Sequence, residues 1–175
     1  MTTKAAFNAE DWSVVTAAPA LTGLLVAAAG RGGTVRESVA ISRAYADARE
    51  GRPGQLLREV LETPAGVGPA PQQRTTEDLE RYVLARVRAA IRVLDLGATP
   101  EEVAEYKRFV YGVGEAVAHA HKEGGFLGVG GERVSEDEQA VLDKVAAIFD
   151  EPPTVAPGEE APAGDRPADD PPGIA

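Results

Sequence analysis

The chain contains no cysteine. Disulfides, thiolate nucleophiles and Cys-ligated zinc or iron–sulfur sites are therefore excluded, although the compartment is not fixed by this. Aromatic residues are also scarce, at 5% against 43% apolar residues in all. A core made under that limit draws mainly on Ala, Val, Leu and Ile, and alanine enters helices without losing side-chain entropy. Positive charge is in short supply too: 18 Lys and Arg stand against 28 Asp and Glu, for a formal net charge of −10. That balance argues against a nucleic-acid backbone or an anionic lipid surface as partner, because both require a basic surface. Cations and basic proteins are the natural electrostatic partners.

From Trp12 to Gly30, in WSVVTAAPALTGLLVAAAG, charge is missing altogether. A signal peptide carries a positive n-region, whereas Glu10 and Asp11 stand directly before this run. Its length is that of a membrane-spanning helix, but alanine, threonine, Pro19 and Gly23 supply little insertion energy. The run is predicted to be the buried central helix of a bundle, and the protein to be cytoplasmic.

Strand signals are missing as well, since no segment alternates cleanly with a period of two. Helix starts recur instead. A Ser or Thr followed three residues later by an acid satisfies free amides of the first turn, and acids there suit the helix dipole. Such pairs are Thr34 with Glu37, Thr75 with Asp78, Thr99 with Glu102, and Ser135 with Glu138. Pro100 occupies a first helical position, where its missing amide does no harm. Apolar residues at steps of three and four follow these starts. One stripe is Leu79, Val83, Val87, Ala90, Ile91 and Leu94. A second is Val103, Tyr106, Val110, Val113, Val117 and His121, and a third is Val141, Leu142, Val145, Ile148 and Phe149. These patterns predict helices at 10–29, 34–50, 54–62, 76–96, 100–122 and 136–149. The fold class is all-α, a bundle of five to six helices.

At 175 residues the chain suits one domain with extensions. Residues 1–150 are assigned to a single helical domain, in which the Pro/Gly-rich stretch 64–74 separates two helical groups. Residues 151–175 hold seven of the thirteen prolines, six acids and one arginine, with little to bury. They are predicted to be a disordered acidic tail, a solvated extension or a docking arm for a basic partner.

Two helix starts share a layout: LDLGATPEEVAEYKRFV at 94–110 and VGGERVSEDEQAVLDKVAAIF at 129–149. Each has a glycine, a cap, acids and then an apolar helix. Through Asp95, Gly97, Thr99, Glu101 and Glu102 in the first, and Gly131, Ser135, Glu136, Asp137 and Glu138 in the second, residues 88–149 resemble the TerB-like family of tellurite-resistance and stress-response proteins. In that family small acidic helical domains start helices at a repeated Asp-Gly, Ser/Thr, acid–acid pattern. This chain departs from it, with Leu96 between Asp95 and Gly97 and Gly-Gly-Glu in place of the second Asp-Gly. The resemblance implies a non-enzymatic accessory role in membrane-linked stress complexes, and an acidic metal site.

The residues themselves suggest two candidate sites. On the helix predicted at 100–122, Glu115 and His119 are four apart and share a face, so both reach one cation. That face runs back through Gly112, Arg108 and Glu105, and an arginine there favours a solvated face with one ion pair. Glu102 and Glu138, each with acidic neighbours, join them as candidate ligands for a divalent cation if the two helix starts meet. No Asp-x-Asp-x-Asp-Gly calcium loop is present. His121 falls on the apolar stripe near a helix end, and no catalytic triad is identifiable. The other candidate is the loop of Gly124, Gly125, Phe126, Leu127, Gly128, Val129, Gly130 and Gly131, which matches neither phosphate-binding glycine pattern. Its first glycines suit a helix C-cap. Phe126, Leu127 and Val129 either plug the end of the bundle or insert into a partner or membrane surface. Gly112 and Gly114 weaken their helix by about 1 kcal/mol each relative to alanine, a cost that close packing on the 12–29 helix would offset.

Three function classes follow. The first is a non-catalytic accessory protein that contacts a protein partner, or its own copies, through the 124–131 loop. The second is a metal-binding protein or metal-dependent enzyme using His119 and the acidic helix starts. The third is a membrane-associated or self-assembling protein.

Overall fold

Why does a 21-residue helix that carries a proline, and no charge beyond Asp11, not leave the protein interior? The computed structural model, which describes residues 1–30, 34–64, 75–120 and 134–152, places that helix at the centre. α1 (Ala9–Ala29) packs against α2 (Thr34–Glu50), α3 (Gln55–Glu62), α4 (Thr76–Gly97), α5 (Pro100–Ala120) and α6 (Glu136–Phe149). Thirteen of its twenty-one residues are buried. From Val14 to Gly23 every residue is buried, so this stretch is uncharged on all sides because it has neighbours on all sides. By length and composition α1 would also cross a membrane, but 72% of its most apolar stretch is covered by the bundle.

The architecture is all-α, and no strand occurs among the described residues. The helix positions agree with the periodicity to within a residue or two, except that residues 121 and 122 lie outside the described residues. So do the 65–74 part of the linker, the tail from 153 onward, His121 and the whole 124–131 loop. The three stripes face inward: Val83, Val87, Val103, Tyr106, Val110, Val113, Val117, Val141, Leu142 and Val145 are all buried. Several fully buried residues are valines, as an aromatic-poor core requires.

Helix directions follow from paired contacts. Lys107 Nζ donates to the Phe149 carbonyl at 2.8 Å, and a Cβ on Gly114 would meet Leu142, so α6 runs antiparallel to α5. Glu80 pairs with Lys144 at 2.6 Å and Arg88 with Glu151 at 2.8 Å, so α4 and α6 run the same way. Val15 meets Tyr106 and Thr22 lies beside Gly114, so α1 is parallel to α5. α2 lies on the α5 side of the bundle, where Tyr45 meets Phe109 edge to face at 5.0 Å between ring centroids.

The caps are where local chemistry was expected to set the boundaries. Ser135 and Glu138 form a full capping box. Thr99 and Glu102 exchange the same two bonds, at 3.4 and 3.1 Å. Thr75 Oγ1 accepts from the Asp78 amide at 3.1 Å. Asn8 starts α1 in the same manner, accepting from the Asp11 amide at 2.9 Å. The amide of Gly54, before α3, is capped from another helix, by Glu105 Oε1 at 2.9 Å.

Candidate functional site

The described residues leave one extended channel on the surface, along the seam between α2 and α5. Its floor is built from small residues one helical turn apart. Ala40, Ala44 and Ala48 come from α2, and Gly112, Ala116 and Ala120 come from α5. Side chains this short cannot fill the space between two cylinders, so a groove stays open along the seam. It consists of two adjoining cavities of about 450 and 460 Å³ that share Ala44, Asp47 and Ala116. Phe109, Val113 and Leu57 extend the apolar floor at one end, and Val39 stands 49% exposed at the other. Nothing lies within 4 Å of the position a Cβ on Gly112 would take, so the groove is open directly above that backbone.

The rim is charged. Arg36, Arg43 and Arg108 line it together with His119, Asp47 and Glu105. None of the three arginines is held in an ion pair among the described residues. Glu105 is already engaged with the Gly54 amide. The rim therefore presents net positive charge on a chain that is strongly acidic overall.

Beneath the groove lies Tyr45, whose hydroxyl is buried without completing a well-formed hydrogen bond. Burial pushes that phenol up to about 12, against the opposing pull of the Ala20 backbone and the Arg49 guanidinium.

The four candidate metal ligands go to different places. His119 lines the groove. Glu115 does not, and its charge acts on Tyr111, whose phenol is raised by burial first and then by Glu115 and Asp143. Glu102 and Glu138 sit in capping boxes at the starts of α5 and α6. Because these helices are antiparallel, the two starts do not meet. Phe149 is level with Lys107, so Glu138 lies about 24 Å along the axis from Glu102. From Glu102 to Glu115 is about 20 Å of helix. Among the described residues no group of three or more His, Cys, Asp and Glu side chains is placed to hold a metal ion.

Glu102 has another function. Desolvation raises its carboxyl, but the amide and hydroxyl of Thr2 and the Thr99 amide outweigh that and hold it down at about 2. Its Oε1 accepts from the Thr2 amide at 2.8 Å, which ties the N-terminal segment to the start of α5. Phe7 stacks on Trp12 at 5.7 Å and covers Gly97, closing that end of the bundle.

Of the face read from the sequence as Glu105, Arg108, Gly112, Glu115 and His119, all but Glu115 line the α5 wall of the groove. The α2 wall was not foreseen, although its Ala40, Ala44, Ala48 spacing is visible in the sequence. No family model, curated protein or solved structure matches the chain.

Proposed function

We propose that this is a non-catalytic helical binding protein whose α2–α5 groove receives an acidic amphipathic helix of a protein partner. The observation that carries the reading is the groove itself, a small-residue channel whose rim arginines form no ion pair among the described residues. Close approach of a helix needs small residues along the contact line, and Gly112 and the alanines provide them. Arg36, Arg43 and Arg108 favour an acidic flank on the incoming helix and reject a basic one. This differs from the basic partner that net charge alone suggests, because the local rim decides what docks. The TerB-like resemblance of residues 88–149 supports a setting in a bacterial stress-response or assembly complex. Burial of α1 supports a cytoplasmic protein.

The test is site-specific photocrosslinking in cells from Val39 in the groove and from Arg81 on the exposed face of α4. The expected result is an adduct from position 39 that maps to an acidic helical segment. It should disappear when Gly112→Trp fills the channel or Arg43→Glu reverses the rim. Adducts from position 81 alone would overturn the reading. An adduct of twice the 18.3 kDa chain would replace the foreign partner with a second copy.

A further inference from the structure

The elbow between α2 and α3, whose Gly51 and Pro53 edge the groove, holds a second pocket on its arginine side. Arg49 from the last turn of α2, Arg52 from the turn, and Arg58 from α3 line one pocket of about 450 Å³, together with Pro53, Leu61 and Glu62. Two of the guanidinium groups are fixed by backbone carbonyls. Arg49 Nη2 donates to Leu61 O at 2.6 Å, and Arg58 Nη2 donates to Pro53 O at 3.2 Å. A guanidinium carries five N–H donors, so each bond orients its group and leaves most of its donors available. None of the three arginines forms an ion pair among the described residues, Glu62 included.

Arg52 adds an independent observation. Its φ of 56° is left-handed, and it is the one non-glycine residue described with a positive φ. Glycine adopts that conformation without penalty, whereas an arginine is strained there. Gly51 and Gly54 flank the position, so the turn already contains two glycines, yet the strained residue is the one with the long cationic side chain. Strain held by a turn whose side chain lines a pocket points to a use for that side chain.

We propose that this elbow is a binding site for a small phosphate-bearing anion. Three guanidinium groups around one pocket, offset by the single carboxylate of Glu62, suit a dianion with several oxygens, which accepts from more than one guanidinium fork. Pro53 and Leu61 supply an apolar wall for a short organic body attached to the phosphate. The site adjoins the α2–α5 groove, with which it shares Pro53, but none of its three arginines lines that groove.

The experiment is calorimetric titration of the full chain with inorganic phosphate and with phenyl phosphate, at ionic strength held constant with potassium chloride. Wild type, Arg52→Gly, Arg58→Gln and Arg43→Gln are compared, with thermal melts of each. Arg52→Gly removes the cation and relieves the backbone strain, so it should melt no lower than wild type. The expected result is saturable binding that weakens about ten-fold or more in Arg52→Gly and Arg58→Gln and is unchanged in the groove variant Arg43→Gln. Phenyl phosphate should bind more tightly than phosphate. Equal affinity in wild type and Arg52→Gly, or a response no greater than chloride gives, would overturn the proposal. Loss of binding in Arg43→Gln alone would overturn it too, by moving the anion to the groove.

Discussion

The hydroxyl of Tyr106 donates to the carbonyl oxygen of Val15 at 2.7 Å, across ninety-one residues of sequence and deep within the core. Val15 lies four residues before Pro19, and a proline has no amide to return a hydrogen bond to that carbonyl. The vacancy falls on a fully buried turn of α1, where an unpaired carbonyl is costly. Tyr106, itself fully buried, fills it from α5. A proline inside the most buried helix is thus tolerated because a neighbouring helix supplies the missing donor.

This relationship predicts a double-mutant cycle. Tyr106→Phe should lower stability by about 1–3 kcal/mol, since it strands the Val15 carbonyl. In a Pro19→Ala background, where residue 19 regains its amide, the same change should cost about 1 kcal/mol less. Urea unfolding of the four proteins measures this, and strict additivity would exclude the compensation.

Gly112 and Gly114 are two residues apart on α5 and should respond oppositely to alanine. At Gly114 a Cβ would meet Leu142 Cδ2 at 2.8 Å and Thr22 Cγ2 at 3.3 Å, and Leu142 is buried. Gly114→Ala should destabilise by about 1–2 kcal/mol despite its better helix propensity. Gly112→Ala meets nothing and should stabilise by roughly 0.5–1 kcal/mol. Thermal melts that move in the same direction for both would contradict the packing described.

Glu102 makes acid stability a readout of the N-terminal contact. Its carboxyl is at about 2 in the fold against an ordinary 4.5. A depressed acid contributes its stability fully above the unfolded value and loses it as pH falls through the folded one. The melting temperature of wild type should therefore exceed that of Glu102→Gln at pH 6. The difference should shrink between pH 4.5 and 2. A difference independent of pH would remove the carboxylate from the account.

Alkaline titration supplies the opposite sign. Tyr45 is pushed up to about 12, and Tyr106 is raised well above the ordinary phenol value, both by burial first. A phenol whose folded value is raised stabilises the fold below its ordinary value of 10.0, and that stability is lost as pH rises beyond it. Absorbance of ionised tyrosine should show two of the four side chains silent until the chain unfolds. In Tyr106→Phe only one silent group should remain. Complete ionisation near pH 10 with the fold intact would be the contrary result.

What the sequence determined by itself was local. Helix positions and inward faces were legible because capping boxes and 3.6-residue stripes act within one or two turns, as Ser135 with Glu138 and the Val103–Val117 stripe show. The absence of charge from residues 12–30 likewise placed α1 at the centre. The tertiary structure decided the rest, because each remaining question turned on which helix lies beside which. Antiparallel packing of α5 and α6 kept the acidic starts at Glu102 and Glu138 apart, although their motifs look alike. Pairing of α2 with α5 joined two alanine and glycine ladders into a groove around His119. Neighbours likewise separated Gly114, in a helix crossing, from Gly112, under open space, and no local pattern distinguishes those two glycines.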